Sequence, residues 1–118
     1  MDKSQDKIYN LEDRTLNFAK SIRDLIKLVP KNLTNIEYCK QLARSSASIG
    51  ANYMEANESI SKKDLRMEIG FSRKEAKESK YWLELLDSEE ENQIRLSLLK
   101  EALELTKIFS AIQRKIKI

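Results

Sequence analysis

Residues 42–83 read LARSSASIGANYMEANESISKKDLRMEIGFSRKEAKESKYWL, and this stretch decides the fold. It opens with a run of small residues, which lets two helices approach closely. It then turns and opens a second helix whose charges are sorted by face. Small residues on one helix and face-sorted charge on the next describe helix packed on helix, not a sheet.

Working outward, Thr34 followed by Glu37 reads as a capping box that opens the helix carrying the small run. Its buried line is expected to hold Ile36, Cys39, Ala43, Ser46, Gly50 and Tyr53. Gly50 costs about 1 kcal/mol against alanine in a helix interior, so a packing benefit is expected there. Ser61 with Asp64 caps the next helix, whose core line Leu65, Ile69, Ser72, Ala76, Ser79, Leu83 and Leu86 steps by four and three. Further out, Asn10 caps a helix with the line Leu11, Thr15, Phe18, Ile22, Leu25 and Val29, which Pro30 stops. Ser88 with Glu91 is expected to cap the last helix, with Leu98, Ala102, Leu105, Phe109, Ile112 and Ile116 facing inward. Four helices, about 11–29, 35–57, 62–87 and 89–116, joined by short connections make an all-α, antiparallel up-down-up-down four-helix bundle. It forms one domain over residues 1–118.

Composition removes several functions. Histidine is absent, which excludes histidine catalysis at neutral pH and any histidine metal ligand. Helical di-iron bundles need a Glu-x-x-His pair on two of their helices, and none is present. The single cysteine, Cys39, allows no intrachain disulfide and fits a reducing, cytoplasmic setting. Cys39 has no histidine to activate it and sits on a line expected to be buried, so no enzyme activity and no cofactor are expected. Neither a secretory leader nor a membrane span is expected. The net charge of +3, with a pI near 8.9, is mildly basic.

On a helical wheel the third helix carries more apolar surface than one core needs. Lys62, Arg66, Arg73, Lys77 and Lys80 cluster on one flank. On the other flank Met67, Phe71, Trp82 and Leu85 lie among Asp64, Glu68, Glu75 and Glu78. Either this second apolar flank is a subunit interface, or the fourth helix covers it. On the second helix Arg44, Ser48, Asn52 and Glu55 form a polar line that Glu75 and Glu78 could meet. Read catalytically, the glutamates are an acid and base pair; read structurally, they pair with Arg44, and the structural reading is preferred. A carboxylate metal site without histidine is a third reading, and no metal ligand is assigned.

The order Arg44-Ser45, Ser48-Ile49, Asn52, Glu55, Lys63-Asp64-Leu65, Glu75-Ala76-Lys77-Glu78 and Trp82-Leu83 resembles a four-helix-bundle family. That family is encoded within intervening sequences of bacterial 23S rRNA genes. Arg14, Phe18-Ala19 and Val29-Pro30 fit the same pattern, and the resemblance runs over roughly residues 10–116. The family is similar in fold to the accessory variability determinant of diversity-generating retroelements. The resemblance implies a ring-like homopentamer of bundles, nucleic-acid binding by analogy, and a reverse transcriptase or ribosomal component as protein partner. Where the family pattern leads us to expect glycine after the glutamate of the second helix, this chain has Ala56-Asn57, and Asn57 is expected to take the left-handed turn conformation.

Two functions follow as expectations. In the first, the chain binds RNA or DNA without sequence preference through Lys62, Arg66, Arg73, Lys77 and Lys80 and the tail residues Arg114, Lys115 and Lys117. In the second, it is a protein-docking scaffold with no direct nucleic-acid contact, using surface such as Tyr81 with Met67.

Overall fold

The computed structural model describes residues 10–87 and 92–118. Four α-helices run in chain order: α1 Leu11–Leu28, α2 Leu33–Asn57, α3 Lys62–Leu85 and α4 Asn92–Lys115. Among the described residues there is no strand.

Each described helix start is set by a side chain that accepts an exposed amide. Asn10 accepts from the Asp13 N–H at 3.2 Å and Ser61 from the Asp64 N–H at 3.0 Å, as expected. The start of α2 departs from the expectation. Asn32, not Thr34, is its cap, accepting from the Asn35 N–H at 2.9 Å. Thr34 already lies inside the helix and donates its hydroxyl to Asn32 Oδ1. Asparagine is an equal or better cap than threonine, so the helix begins two residues earlier. The cap expected at Ser88 and Glu91 lies outside the described residues. α2 ends without a left-handed residue: no described residue has positive φ, Asn57 stays helical, and Glu58 closes the turn at φ −103°.

α1, α3 and α4 bury the lines their spacing predicts. Leu11, Thr15, Phe18, Ile22, Leu25 and Val29 are buried, as are Ile69, Ser72, Ala76, Ser79, Leu83 and Leu86, and Leu98, Ala102, Leu105 and Phe109. Leu65, Ile112 and Ile116 pack half-buried against this core. α2 is rotated from its expected line. It buries Asn35, Leu42, Ser45, Ser46, Ile49 and Ala56, while Ile36 and Ala43 are exposed and Cys39, Gly50 and Tyr53 are half-buried. Leucine and isoleucine outweigh the small residues, and they set which side faces the core.

The small residues of α2 serve its two neighbours. Ser45 Oγ and Ser79 Oγ share a buried hydrogen bond at 2.8 Å, and Ser72 Oγ donates to the Ile49 carbonyl at 3.0 Å, which draws α2 and α3 together. On the other side Gly50 faces Thr15 of α1 so closely that a Cβ there would lie 2.9 Å from Thr15 Oγ1. Asn35 ties one end of the bundle. Its amide nitrogen donates to the carbonyls of Pro30 and Asp87, both at 2.9 Å, and its oxygen accepts from the Asp87 N–H at 3.1 Å. α1 and α4 touch least. A groove of about 850 Å³ separates them, floored by Phe18 and Leu98, and Arg14 spans it to Glu101 with two bonds of 2.7 and 2.8 Å. That pairing holds the Arg14 guanidinium even further above its ordinary value.

Candidate functional site

The polar line of α2 meets α3 at one point. The serine contacts bring the helices close enough for Arg44 Nη1 to donate to Glu75 Oε2 at 2.7 Å, while Nη2 lies 3.6 Å from Glu78 Oε2. Arg44 Nε also donates to Gln41 Oε1. The Glu75 side chain is only 9% exposed and Arg44 is 50% exposed, so the carboxylate is buried beneath a guanidinium that still meets water. Burial raises the Glu75 carboxyl, and its neighbour Glu78 raises it further, against the pull of Arg44. Hydrogen bonding with Glu75 lowers Glu78, helped by Arg44 and Lys74. Two carboxyls sharing one site divide their protons in this way.

Such a split also suits an acid and base pair, but a substrate would need room beside it. Neither the α1–α4 groove nor the smaller cavity of about 310 Å³ by Ile26, Val29 and Cys39 is lined by Glu75 or Glu78. The cluster pins α2 to α3. Ser48 does not join it; its hydroxyl donates to the Arg44 carbonyl of its own helix at 2.9 Å. The side chains of Asn52 and Glu55 make no hydrogen bond among the described residues, so half of the expected polar line stands apart. No group of three or more His, Cys, Asp or Glu among the described residues could hold a metal ion. Cys39 is half-buried, and burial raises its thiol against the opposing field of Lys31.

The apolar flank of α3 stays uncovered. Met67, Phe71 and Leu85 are 48%, 43% and 37% exposed. α4 does not shield them, because it packs on the opposite flank of α3, where Gln113 reaches the Arg66 carbonyl and Arg95 the Leu83 carbonyl. Trp82 differs from the other three. It is half-buried, stacked on Tyr38 of α2 at 6.2 Å and edge-on to Tyr81 at 5.3 Å.

The two basic segments meet. Gln113 Nε2 donates to the Arg66 carbonyl at 3.3 Å, so the antiparallel pairing sets Arg114, Lys115 and Lys117 beside Lys62 and Arg66 at one end of the bundle. All five are exposed, and none pairs with a carboxylate among the described residues. Arg73, Lys77 and Lys80 continue up α3, where Lys80 is paired with Glu84 at 3.2 Å. Sequence reasoning missed the outer face of α4, where Leu96 and Leu103 are 45% and 38% exposed beside half-buried Leu99. Their spacing of three and four was there to be read.

This geometry defines a class: an all-α packing module that displays two apolar flanks and one basic end. No described helix is long and apolar enough to cross a membrane. The family model of the 23S rRNA-intervening sequence protein matches residues 9–111, and the chain belongs to that family. A solved structure from Bacteroides thetaiotaomicron VPI-5482, described as a protein with unknown function from the S23 ribosomal protein family, is similar in both sequence and fold. It is 32% identical with a TM-score of 0.80, over 92% of this chain and 99% of that one. No curated protein matches the chain.

Proposed function

We propose that this chain is a non-enzymatic cytoplasmic scaffold that assembles as a homopentamer and binds RNA or DNA through phosphates, without reading bases. The observation that carries the reading is the meeting of Lys62 and Arg66 with Arg114, Lys115 and Lys117 at one end of the bundle. Five exposed cations from two distant segments, gathered without described carboxylate partners, make a site for a polyanion. The pentamer rests on the resemblance to the accessory variability determinant, and the uncovered Met67, Phe71 and Leu85, with Trp82 beside them, supply apolar surface for it. A ring would repeat the basic end and multiply its pull on a phosphate backbone.

The test is fluorescence anisotropy with a labelled RNA hairpin and a DNA duplex. With about five phosphate contacts, affinity is expected to fall about 10²- to 10³-fold between roughly 50 and 200 mM salt. Little preference among sequences is expected, and Arg66→Glu with Arg114→Glu should abolish binding. Absence of binding at low salt would defeat the nucleic-acid reading and leave a scaffold for a reverse transcriptase or ribosomal partner.

A further inference from the structure

α3 stands between two faces of opposite charge. On its α2 side, exposed Met67, Phe71 and Leu85 lie among Asp64, Glu68, Glu75 and Glu78. The cations on that side are Lys74 and Arg44, and Arg44 is taken up by Glu75 and Glu78. On its α4 side, Leu96, Leu99 and Leu103 form a stripe at steps of three and four along α4. The ties from Arg95 to Leu83 and from Gln113 to Arg66 set Leu99 and Leu103 near the levels of Lys80 and Lys77. Exposed Lys100 and Lys107 flank the same stripe from α4. The acids of α4, Glu101 and Glu104, line the α1–α4 groove instead. One face is therefore apolar and acidic, the other apolar and basic.

We propose that these two faces are the two halves of one head-to-tail contact, the Met67–Phe71–Leu85 seam of one copy seating on the Leu96–Leu99–Leu103 stripe of the next. This rests on the assembly reading above and names both of its surfaces. Charge decides the partner. An acidic seam repels its own copy across a two-fold axis, whereas the basic stripe attracts it. Size agrees. Met67 to Leu85 spans about 27 Å along α3, and a two-helix face about 20 Å wide buries on the order of 1,000 Å² in total, which a specific interface needs. Both faces share α3, so they are neighbouring sides of the bundle rather than opposite ones. Successive copies then turn and close a ring instead of running on as a fibre. The stripe occupies the half of α4 remote from Arg114, so the basic end stays free for nucleic acid.

The experiment is light scattering on two variants, each defective in one half. Phe71→Glu spoils the seam and Leu103→Glu spoils the stripe. Lys100→Glu with Lys107→Glu attacks the stripe through exposed side chains only, which covers a folding failure at Leu103. Circular dichroism confirms the fold of each. The wild type is expected as a multiple of 13.8 kDa and each variant as a monomer. An equal mixture of Phe71→Glu and Leu103→Glu is expected to give a 1:1 dimer, because each chain keeps the half that the other lacks. Three results would overturn the pairing while leaving assembly intact: stripe variants that keep wild-type mass, a mixture that stays monomeric, or a seam variant that still assembles. A monomeric wild type would remove assembly and pairing together. If that monomer captured a synthetic acidic leucine-rich helix, the stripe would belong to a foreign partner.

Discussion

A methyl group added at Gly50 would stand 2.9 Å from Thr15 Oγ1 and 3.3 Å from Thr15 Cβ. Thr15 cannot swing aside. It is buried and β-branched, and its hydroxyl donates to the Leu11 carbonyl at 2.7 Å. α1 and α2 would have to part along their seam. Overpacking of this kind costs about 1–3 kcal/mol, against about 1 kcal/mol gained by replacing a mid-helix glycine with alanine. Gly50→Ala is therefore expected to destabilise by about 1 kcal/mol, and Gly50→Leu by about 3 kcal/mol. Gly70 is the control. There a Cβ would meet Gln113 Nε2 at 2.5 Å, but that is the free end of a flexible chain holding one 3.3 Å bond. Gly70→Ala should be neutral or stabilising by up to about 1 kcal/mol. Urea unfolding followed by circular dichroism at one protomer concentration reads the difference, and 1 kcal/mol corresponds to about 4 °C in Tm for a domain of this size. Thr15→Ala in the Gly50→Ala background should recover part of the loss. Gly50→Ala unfolding at or above the wild-type urea concentration would refute the close approach of α1 to α2.

Two further substitutions probe the polar ties. Asn35→Ala removes three bonds that hold the Pro30 and Asp87 backbones and should cost about 2–4 kcal/mol, measured by urea unfolding; a loss under about 1 kcal/mol would show that these loops hold without it. Arg44→Met leaves Glu75 buried beside Glu78 without its cation and should cost about 1–2 kcal/mol at neutral pH, a figure reduced for the exposure of Arg44. A carboxyl whose folded pKa is raised stabilises the fold below its unfolded pKa and loses that contribution as pH climbs through the folded value. Losing Arg44 raises Glu75 further, so the deficit should shrink as the solution is acidified through the carboxylate range, and a deficit that grew toward acid would reverse the assignment.

How much was legible depended on how loudly each residue spoke. The lines of α1, α3 and α4 carry leucine, isoleucine and phenylalanine at steps of three and four, and hydrophobic spacing alone places them. On α2 the run from Ala43 to Ala51 is nearly all small, so its spacing has little contrast, and the expected line came out rotated. The missed signal was the seven-residue step Asn35, Leu42, Ile49, Ala56, disguised by an asparagine whose polar groups are all used inside. Arg44 with Glu75 and Glu78 could be anticipated because spacing puts them on facing sides. Asn52 and Glu55 share that side of α2, but reach depends on helix crossing, which no linear pattern records. The meeting of the two basic segments followed from antiparallel pairing alone. Trp82 could be placed on its flank, but its stacking on Tyr38 needed the relative height of two helices.

Three edges of this bundle are glued and the fourth is ajar. Its extents of 46 × 33 × 19 Å give an oblong cross-section. α1 can pivot about α2 while the other three rods keep their mutual packing; the motion breaks one arginine–glutamate clasp and wets Phe18 and Leu98. In a bundle sealed on every side the same swing would tear the core. The molecule thus has one soft mechanical mode, and since its latch is a partly hydrated ion pair, dissolved salt loosens it before heat does.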